Sequence, residues 1–463
     1  MRIIVCVKLV NKELSPFDAC ALEYALRFKD SDPDTDLTII CMGRPDCLST
    51  LQALTRLGVP RAVLLSDNIF AGADTLATAY TLSLAIKKLM PDLILCGRQS
   101  IDGDTAQTGP ALAALLEIPV ITNVLEMFIE VGKGMRCITR FGEEKASFPM
   151  VLTMERTVEL RFPRINSKLG KAELWDAAKL EADPERCGLK GSPSRVLKTY
   201  ECQTDRRHCR FIQLEQLDEV IESVIKKPQE IRKEKAYIRI KLPEIWCVGT
   251  EPLEWAHRIA ERVHVLEKDT PNRLAVLIRQ KNPSVVLWDG GLWGRRTAPQ
   301  VAALLRTGLC ADCTALETDG DTLYMTRPAF GGNLLATISC QTRPQMATMR
   351  PSCPIGDQVI VGVGVGVSTQ FVQIQEWTNQ KGYGLAVSRP LVDRGLAPYE
   401  LQVGLTGRTV RPAVYVAIGI SGAVQHTCAI EQAGTIIAIN PDKNARIFDC
   451  ADFGICDTFR LVP

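Results

Sequence analysis

No stretch of 18 or more apolar residues occurs in the 463-residue chain, so nothing in it has the length and hydropathy of a membrane-spanning helix. Charge of one sign is also lacking. The 55 Lys and Arg balance 53 Asp and Glu to a formal +2, which provides neither a basic face for nucleic acid nor an anchor for a membrane surface. Histidine is scarce, and His208, His257, His264 and His426 show no ligand spacing, so no metal site is expected. There is no GxSxG, no GxxxxGK[ST] and no HExxH, which removes hydrolase, P-loop and metalloprotease chemistry. What remains is chemistry that a cofactor carries with it. The opening MRIIVCVKLV reads as a strand rather than a signal peptide, and the expected location is the cytoplasm. Seventeen cysteines, an odd number without a disulfide layout, fit reduced thiols. The lone Cys310-Ala311-Asp312-Cys313 is read as structural.

A chain this long exceeds one core and suggests about three domains. Residues 1 to about 200 alternate β-branched runs (IIVCV, LTIICM, AVLLS, LILCG) with amphipathic stretches such as Thr75 to Leu89, which predicts a parallel, helix-covered sheet. The rhythm breaks between Pro184 and Tyr237, where Leu214, Leu217, Ile221 and Val224 share one helix face: a linker with a docking helix. From about 240 the pattern restarts with EIWCVG and VVLWDGG. In VIVGVGVGVS, Gly362, Gly364 and Gly366 lack the dinucleotide fingerprint's spacing, and a closely packed strand is expected there.

The most informative stretch is Pro412 to Ile430, PAVYVAIGISGAVQHTCAI. An apolar strand breaks at Gly419-Ile420-Ser421-Gly422 and resumes as helix, the architecture of a phosphate cradle, although such joints also occur with nothing bound. In the first half, LILCGRQSIDGDTAQTGP carries a strand ending at Gly97 into an acidic loop with Asp102, Gly103, Asp104, Thr105, Gln107 and Thr108. A second loop with Gly72, Asp74 and Thr75 also precedes a helix. Such loops hold ribose and phosphate, and the competing reading is helix capping. In the last unit Ser388, Arg389, Thr406, Gly407, Ser421, Gln425, His426, Asn440 and Asp452 fall at successive breaks, the set of donors and acceptors a flavin requires. Arg389 and His426 are the candidates for tuning its ring, against the reading of His426 as a satisfied histidine.

Taken in order, the motifs resemble electron-transfer flavoproteins with both subunits on one chain. VCVKLV, FAGADTLATAYTL, GRQSIDGDTAQTGP, LRFPRI and GLKGSPSRV are similar to the beta subunit. GRRTAPQVAALLRTGLCADCT, TRPAFGGN, RPQMATMRP, SRPLVDRG, VGLTGRTV, GISGAVQH, IIAIN and IFDCADFG are similar to the alpha subunit. The resemblance implies an α/β fold with two adenine-nucleotide-binding-like parallel-sheet domains and a C-terminal flavodoxin- or Rossmann-like FAD domain. Its expected parts are residues 1–200, a linker over 201–240, an abridged alpha-like domain over 241–365 and the FAD domain over 366–463.

The resemblance also implies a FAD held by the C-terminal set, with Thr406 near flavin N5 and His426 reaching O2. The first half would hold a second FAD or an AMP, with Gly72, Asp74, Thr75, Gly97, the Asp102 to Thr108 loop and Arg327 as its residues. The wording GDTAQ, GADT and RPAFGGN is closer to the electron-bifurcating group. That implies two FAD, hydride from NADH to the first-half flavin, one electron to a low-potential acceptor such as ferredoxin or flavodoxin, and one through the C-terminal flavin to an acyl-CoA dehydrogenase-like partner. A one-FAD, one-AMP carrier that does not react with NADH and a non-redox nucleotide-binding interaction protein are the alternatives. Three places depart from the family: Leu405 where Gln is usual, GVGVGVS without its arginine, and a short Trp246 to Pro283.

Overall fold

Parallel sheets covered by helices are what the alternating sequence produces. A computed structural model describes residues 1–130, 134–201, 206–226, 240–330, 334–350, 358–404 and 407–460. It divides into two compact units, one of Met1–Lys198, Ile238–Phe330 and Ala336–Met349, the other of Thr199–Tyr237, Gly331–Leu335 and Arg350–Pro463.

The two largest sheets of the first unit are a nine-stranded, mostly parallel one and a five-stranded parallel one, beside smaller antiparallel pairings such as Ala315–Thr318 with Leu323–Ala329. In the larger, the strand order is Lys171–Trp175, Arg61–Leu65, Asp36–Met42, Arg2–Val7, Leu93–Gly97, Met150–Met154, Val120–Glu130, Gly134–Thr139 and Gly142–Ala146; the last two join antiparallel and the rest are parallel. Its central strands, Arg2–Val7, Leu93–Gly97 and Met150–Met154, read as near-continuous apolar runs because helices cover both faces. Ile3, Val5 and Val7 enter one core with Leu22 and Leu26 of the helix Pro16–Ser31. Ile4 and Cys6 enter the other with Leu82 and Ile86 of the helix Thr75–Leu89. The smaller sheet, in the order Ala260–Leu266, Leu242–Val248, Val285–Asp289, Gln345–Met349 and Leu309–Cys313, is parallel throughout. It repeats the order of the five central strands of the larger sheet, with its last strand inserted between the third and fourth. The helices Thr108–Leu116 and Leu292–Leu305 pack on each other. Cys310 and Cys313 are buried free thiols at the end of the smaller sheet, and burial together with their mutual contact pushes the Cys313 thiol far up.

In the second unit six parallel strands follow the order Arg210–Phe211, Phe453–Ile455, Thr435–Ile439, Val414–Ile418, Val359–Val363 and Gly384–Val387. The run VIVGV is a buried strand, as its packing pattern suggested, and Gly362 is needed there because a Cβ would stand 1.8 Å from the Tyr415 hydroxyl. Residues 206–226, taken from sequence as part of a linker, supply the edge strand of this sheet and a helix, Leu217–Ile225. Leu214, Leu217 and Ile221 bury among Val359, Val361 and Ile437. No helix among the described residues is long and apolar enough to cross a membrane.

Arg207 pins this segment down. Its buried guanidinium donates to the carbonyls of Glu431 at 2.9 Å, Ala433 at 2.8 Å and Gly434 at 3.3 Å, and pairs with the Asp452 carboxylate at 2.5 Å. Replacing it takes a donor from three carbonyls and leaves the partly exposed Asp452 carboxylate with the Ile436 amide. Arg207→Ala should therefore destabilise the second unit by roughly 3–5 kcal/mol, read as a lowered melting transition in calorimetry.

Candidate functional site

In an open parallel sheet the crevice for a ligand lies at the carboxyl ends of strands, where the strand order reverses. In the second unit that point falls between Val359–Val363 and Val414–Ile418. All five residues of Val414–Ile418 are buried, alternating between two cores. The chain then turns through Gly419 at φ +64° and Gly422 at φ +85°. A Cβ on Gly364 would stand 2.1 Å from the Gly419 carbonyl, and one on Gly422 would stand 2.0 Å from the Ile447 nitrogen. The glycines are therefore demanded by close backbone approach. Asn440, at the end of Thr435–Ile439, donates to the Ile420 carbonyl at 3.0 Å and accepts from the Asp442 amide at 2.9 Å, bracing the turn.

Around this cradle the structure gathers several of the candidates. Ser388 ends Gly384–Val387, and its buried hydroxyl has no hydrogen-bond partner among the described residues. Arg389 follows it, half-exposed, with Nε 3.2 Å from Asp393. Ser421 and Gln425 are exposed, while His426 is buried with Nε2 2.9 Å from the Tyr415 hydroxyl. Gly407 closes a tight turn in which a Cβ would meet the Gln402 carbonyl at 2.2 Å. Thr406 and Leu405 lie outside the described residues. Asp452 is set apart. Its carboxylate accepts from the Ile436 amide at 2.8 Å and from Arg207, at the amino end of the sheet. Asp457, just past Phe453–Ile455, is the carboxylate at the carboxyl end. Sequence reading passed it over because one strand separates the two, and only strand direction tells them apart. A glycine cradle beside a hydroxyl lacking a partner fits a dinucleotide such as FAD.

In the first unit the reversal falls between Arg2–Val7 and Leu93–Gly97. The loop after Gly97 is held at several points. Lys8 Nζ pairs with Asp102 at 2.7 Å, and Gln99 donates to Asp104 at 2.9 Å. Burial works against the Asp102 charge, but Lys8 and Ser100 outweigh it and hold the carboxyl below its usual range. Arg327, buried, donates to the Gly103 carbonyl at 2.5 Å and the Asp104 carbonyl at 2.9 Å, so its fork grips the loop backbone. Asp104 and Ala106 take positive φ, and Thr105 stands half-buried between them. Gln107 donates to the Leu309 carbonyl at 3.1 Å, and Thr108 opens a helix.

The second loop is committed differently. Asp74 caps its helix by accepting from the amides of Leu76 at 3.0 Å and Ala77 at 3.1 Å, and its other oxygen accepts from the Ser194 amide at 3.0 Å. Gly72 takes φ +73° against Leu189, and Thr75 begins the helix. Asp74, Thr75, Gln107, Ser194 and Thr307 line a cavity of about 20 Å³, room for one water. Sequence reading missed a cluster around a buried carboxylate beside the first loop: Glu155, fully buried, lies 3.3 Å from Arg98, 3.0 Å from Arg140 and 2.9 Å from the Asn123 side-chain amide. Burial alone would raise Glu155, yet the two guanidiniums bring it below its usual value. No local pattern links Arg98 to Glu155; the crevice does.

The electron transfer flavoprotein domain profile matches residues 3–159 and 257–355, more than half of the chain, and the electron transfer flavoprotein FAD-binding domain matches residues 356–431. The chain is 38% identical over 237 residues to the electron transfer flavoprotein subunit alpha of Thermoanaerobacterium thermosaccharolyticum, covering 41% of this chain and 72% of that one. It is 41% identical over 203 residues to the electron transfer flavoprotein subunit beta of Megasphaera elsdenii, covering 40% and 74%. With the acryloyl-CoA reductase electron transfer subunit beta of Anaerotignum propionicum it shares 36% over 265 residues, 41% and 72% of the two chains. With its FAD-type cradle in one unit and a repeated parallel sheet in the other, the chain belongs to the electron transfer flavoprotein family.

Proposed function

We propose that this is a single-chain electron-transfer flavoprotein, with a beta-like first half and an alpha-like second half, that passes electrons from NADH to a flavin dehydrogenase of the acyl-CoA type in the cytoplasm. The observation that carries the reading is the cradle of Gly364, Gly419 and Gly422 beside the Ser388 hydroxyl, within the stretch matched by the FAD-binding domain. Likeness to both an alpha and a beta subunit supports the fusion, and likeness to an acryloyl-CoA reductase electron transfer subunit supports the class of partner. In the first unit the loop after Gly97, with Arg98 and Arg140 behind it, would hold an adenine nucleotide. In the bifurcating form of this reading that nucleotide is a second FAD, and a ferredoxin or flavodoxin takes the low-potential electron. The wording of the GDTAQ loop favours that form.

Bound FAD supplies the one- and two-electron chemistry. The chain's part is to bind, orient and tune. Ser388 offers its hydroxyl, the Gly419–Gly422 turn offers backbone N–H groups, and Arg389 brings positive charge to the same edge. His426 contributes as a neutral imidazole: burial pushes it down to about 4, with the Val403 backbone offsetting part of this, so at neutral pH it hydrogen-bonds rather than carrying charge.

Three outcomes follow. Extraction of the purified chain should yield two FAD per chain, and NADH should bleach them rapidly; one FAD with one AMP, or two FAD that stay oxidised, would sink the bifurcating reading. Ser388→Ala should weaken FAD retention by about 1 kcal/mol, roughly fivefold, in dialysis. The unfolded chain takes up a proton at His426 that the folded chain refuses, so stability is complete above about pH 6.5 and is lost as pH falls toward about 4. The loss should reach about 3 kcal/mol, and His426→Gln should remove that part of the acid sensitivity in chemical denaturation.

A further inference from the structure

Two strands leave the larger sheet side by side at the order reversal, and one side chain stands between them. Asp18, buried on the first turn of Pro16–Ser31, accepts the Lys8 amide on Oδ2 at 2.8 Å and the Gly97 amide on Oδ1 at 3.0 Å. Those amides are where the chain leaves Arg2–Val7 and Leu93–Gly97. The fit is close: a Cβ on Gly97 would stand 2.3 Å from Asp18 Oδ1. Lys8, whose backbone is held this way, reaches over with its ammonium to Asp102 in the loop that Gly97 begins.

We propose that Asp18 is the positioning residue of the first unit's nucleotide site, holding the Gly97–Gln107 loop in the conformation that binds an adenine nucleotide; this rests on the reading that the unit binds such a nucleotide. A carboxylate has lone pairs for both N–H groups at once. Once protonated, one oxygen becomes a donor and one of the two strand ends loses its acceptor. The loop is then held at one end only.

Asp18 is also the group placed to change charge near neutrality. Burial pushes it up to about 7, against the two N–H bonds and Lys8, with Asp102 adding to the rise. The other groups facing it are Lys8 from the strand end, Asp102 from the loop, and Cys41 and Cys96 from the flanking strands. Asp102 lies below its usual range, while Cys41 is pushed up to about 12 and Cys96 far up, so that carboxylate and those thiols keep one protonation state between pH 5.5 and about 8. The folded chain holds the Asp18 proton more tightly than the unfolded chain, so Asp18 makes the unliganded fold lose stability as pH rises from about 4 to 7. Nucleotide affinity should run the opposite way, rising over the upper part of that range. A merely structural carboxylate would move stability without moving affinity.

The test is calorimetric titration of the full chain, its C-terminal FAD in place, with FAD and adenosine at pH 5.5 to 8; neither probe changes charge in that range. The expected result is affinity that weakens up to about tenfold per pH unit below about 7, with a proton released on binding near pH 6.5. Asp18→Asn should bind about tenfold more weakly at pH 8, with a flat profile. A flat wild-type profile without proton release, or an Asp18→Asn variant that keeps the wild-type slope, would overturn the proposal. If that variant does not fold, the wild-type profile decides alone. If neither probe binds beyond the C-terminal site at any pH, the nucleotide reading fails. Amide exchange then decides the Asp18 role: protection of Lys8 and Gly97, corrected for intrinsic rate, should fall as pH drops below 7, and protection that holds steady refutes it.

Discussion

At the edge of a parallel sheet, where the connections on either side of one strand part, backbone N–H groups point into a crevice and need partners, yet a binding site requires that crevice to stay open. Both units are organised around that constraint. In the second, the backbone closes on itself: Gly364 donates to the Ile418 carbonyl at 2.7 Å, and the approach of Gly364 to Gly419 leaves no room for a side chain. In the first, a buried carboxylate takes the two strand-end amides. The difference has a consequence for pH. Backbone hydrogen bonds do not titrate, whereas a carboxylate does.

Arginine carries much of the remaining organisation, and usually by gripping carbonyls. Arg327 spans two carbonyls of the first-half loop, and Arg207 spans three carbonyls near the end of the second-half sheet before reaching Asp452. A planar fork with five N–H groups can satisfy several acceptors at fixed angles, which a lysine cannot. This ties Arg327 to the backbone of the loop that follows Gly97. Lysine at either position would keep the charge and lose the geometry.

Strand and helix placement was legible from apolar runs, because strands buried on both faces contain almost nothing else, and the repeated motifs were legible as family wording. Less legible was the use to which each polar residue is put. Asp74 and Asp102 sit in similar Gly- and Thr-containing loops, but one caps a helix and the other pairs with Lys8 beside the crevice. Asp452 and Asp457 lie five positions apart on opposite ends of one short strand. Asp18, which holds two strand ends, looks in sequence like an ordinary acidic residue in a first helical turn.

The amino-acid sequence by itself determined the α/β class, the parallel sheets, the glycine turns and the family, since these follow from local periodicity, backbone freedom and residue order. Tertiary structure alone decided which carboxylates face the crevices, that residues 206–226 build the second unit's sheet and core, and that Arg98, Arg140 and Glu155 meet. The reason is physical. Strand direction and burial set what a charged group touches and how far its proton affinity moves, and both arise from pairings between segments too distant in the chain for any local pattern to encode.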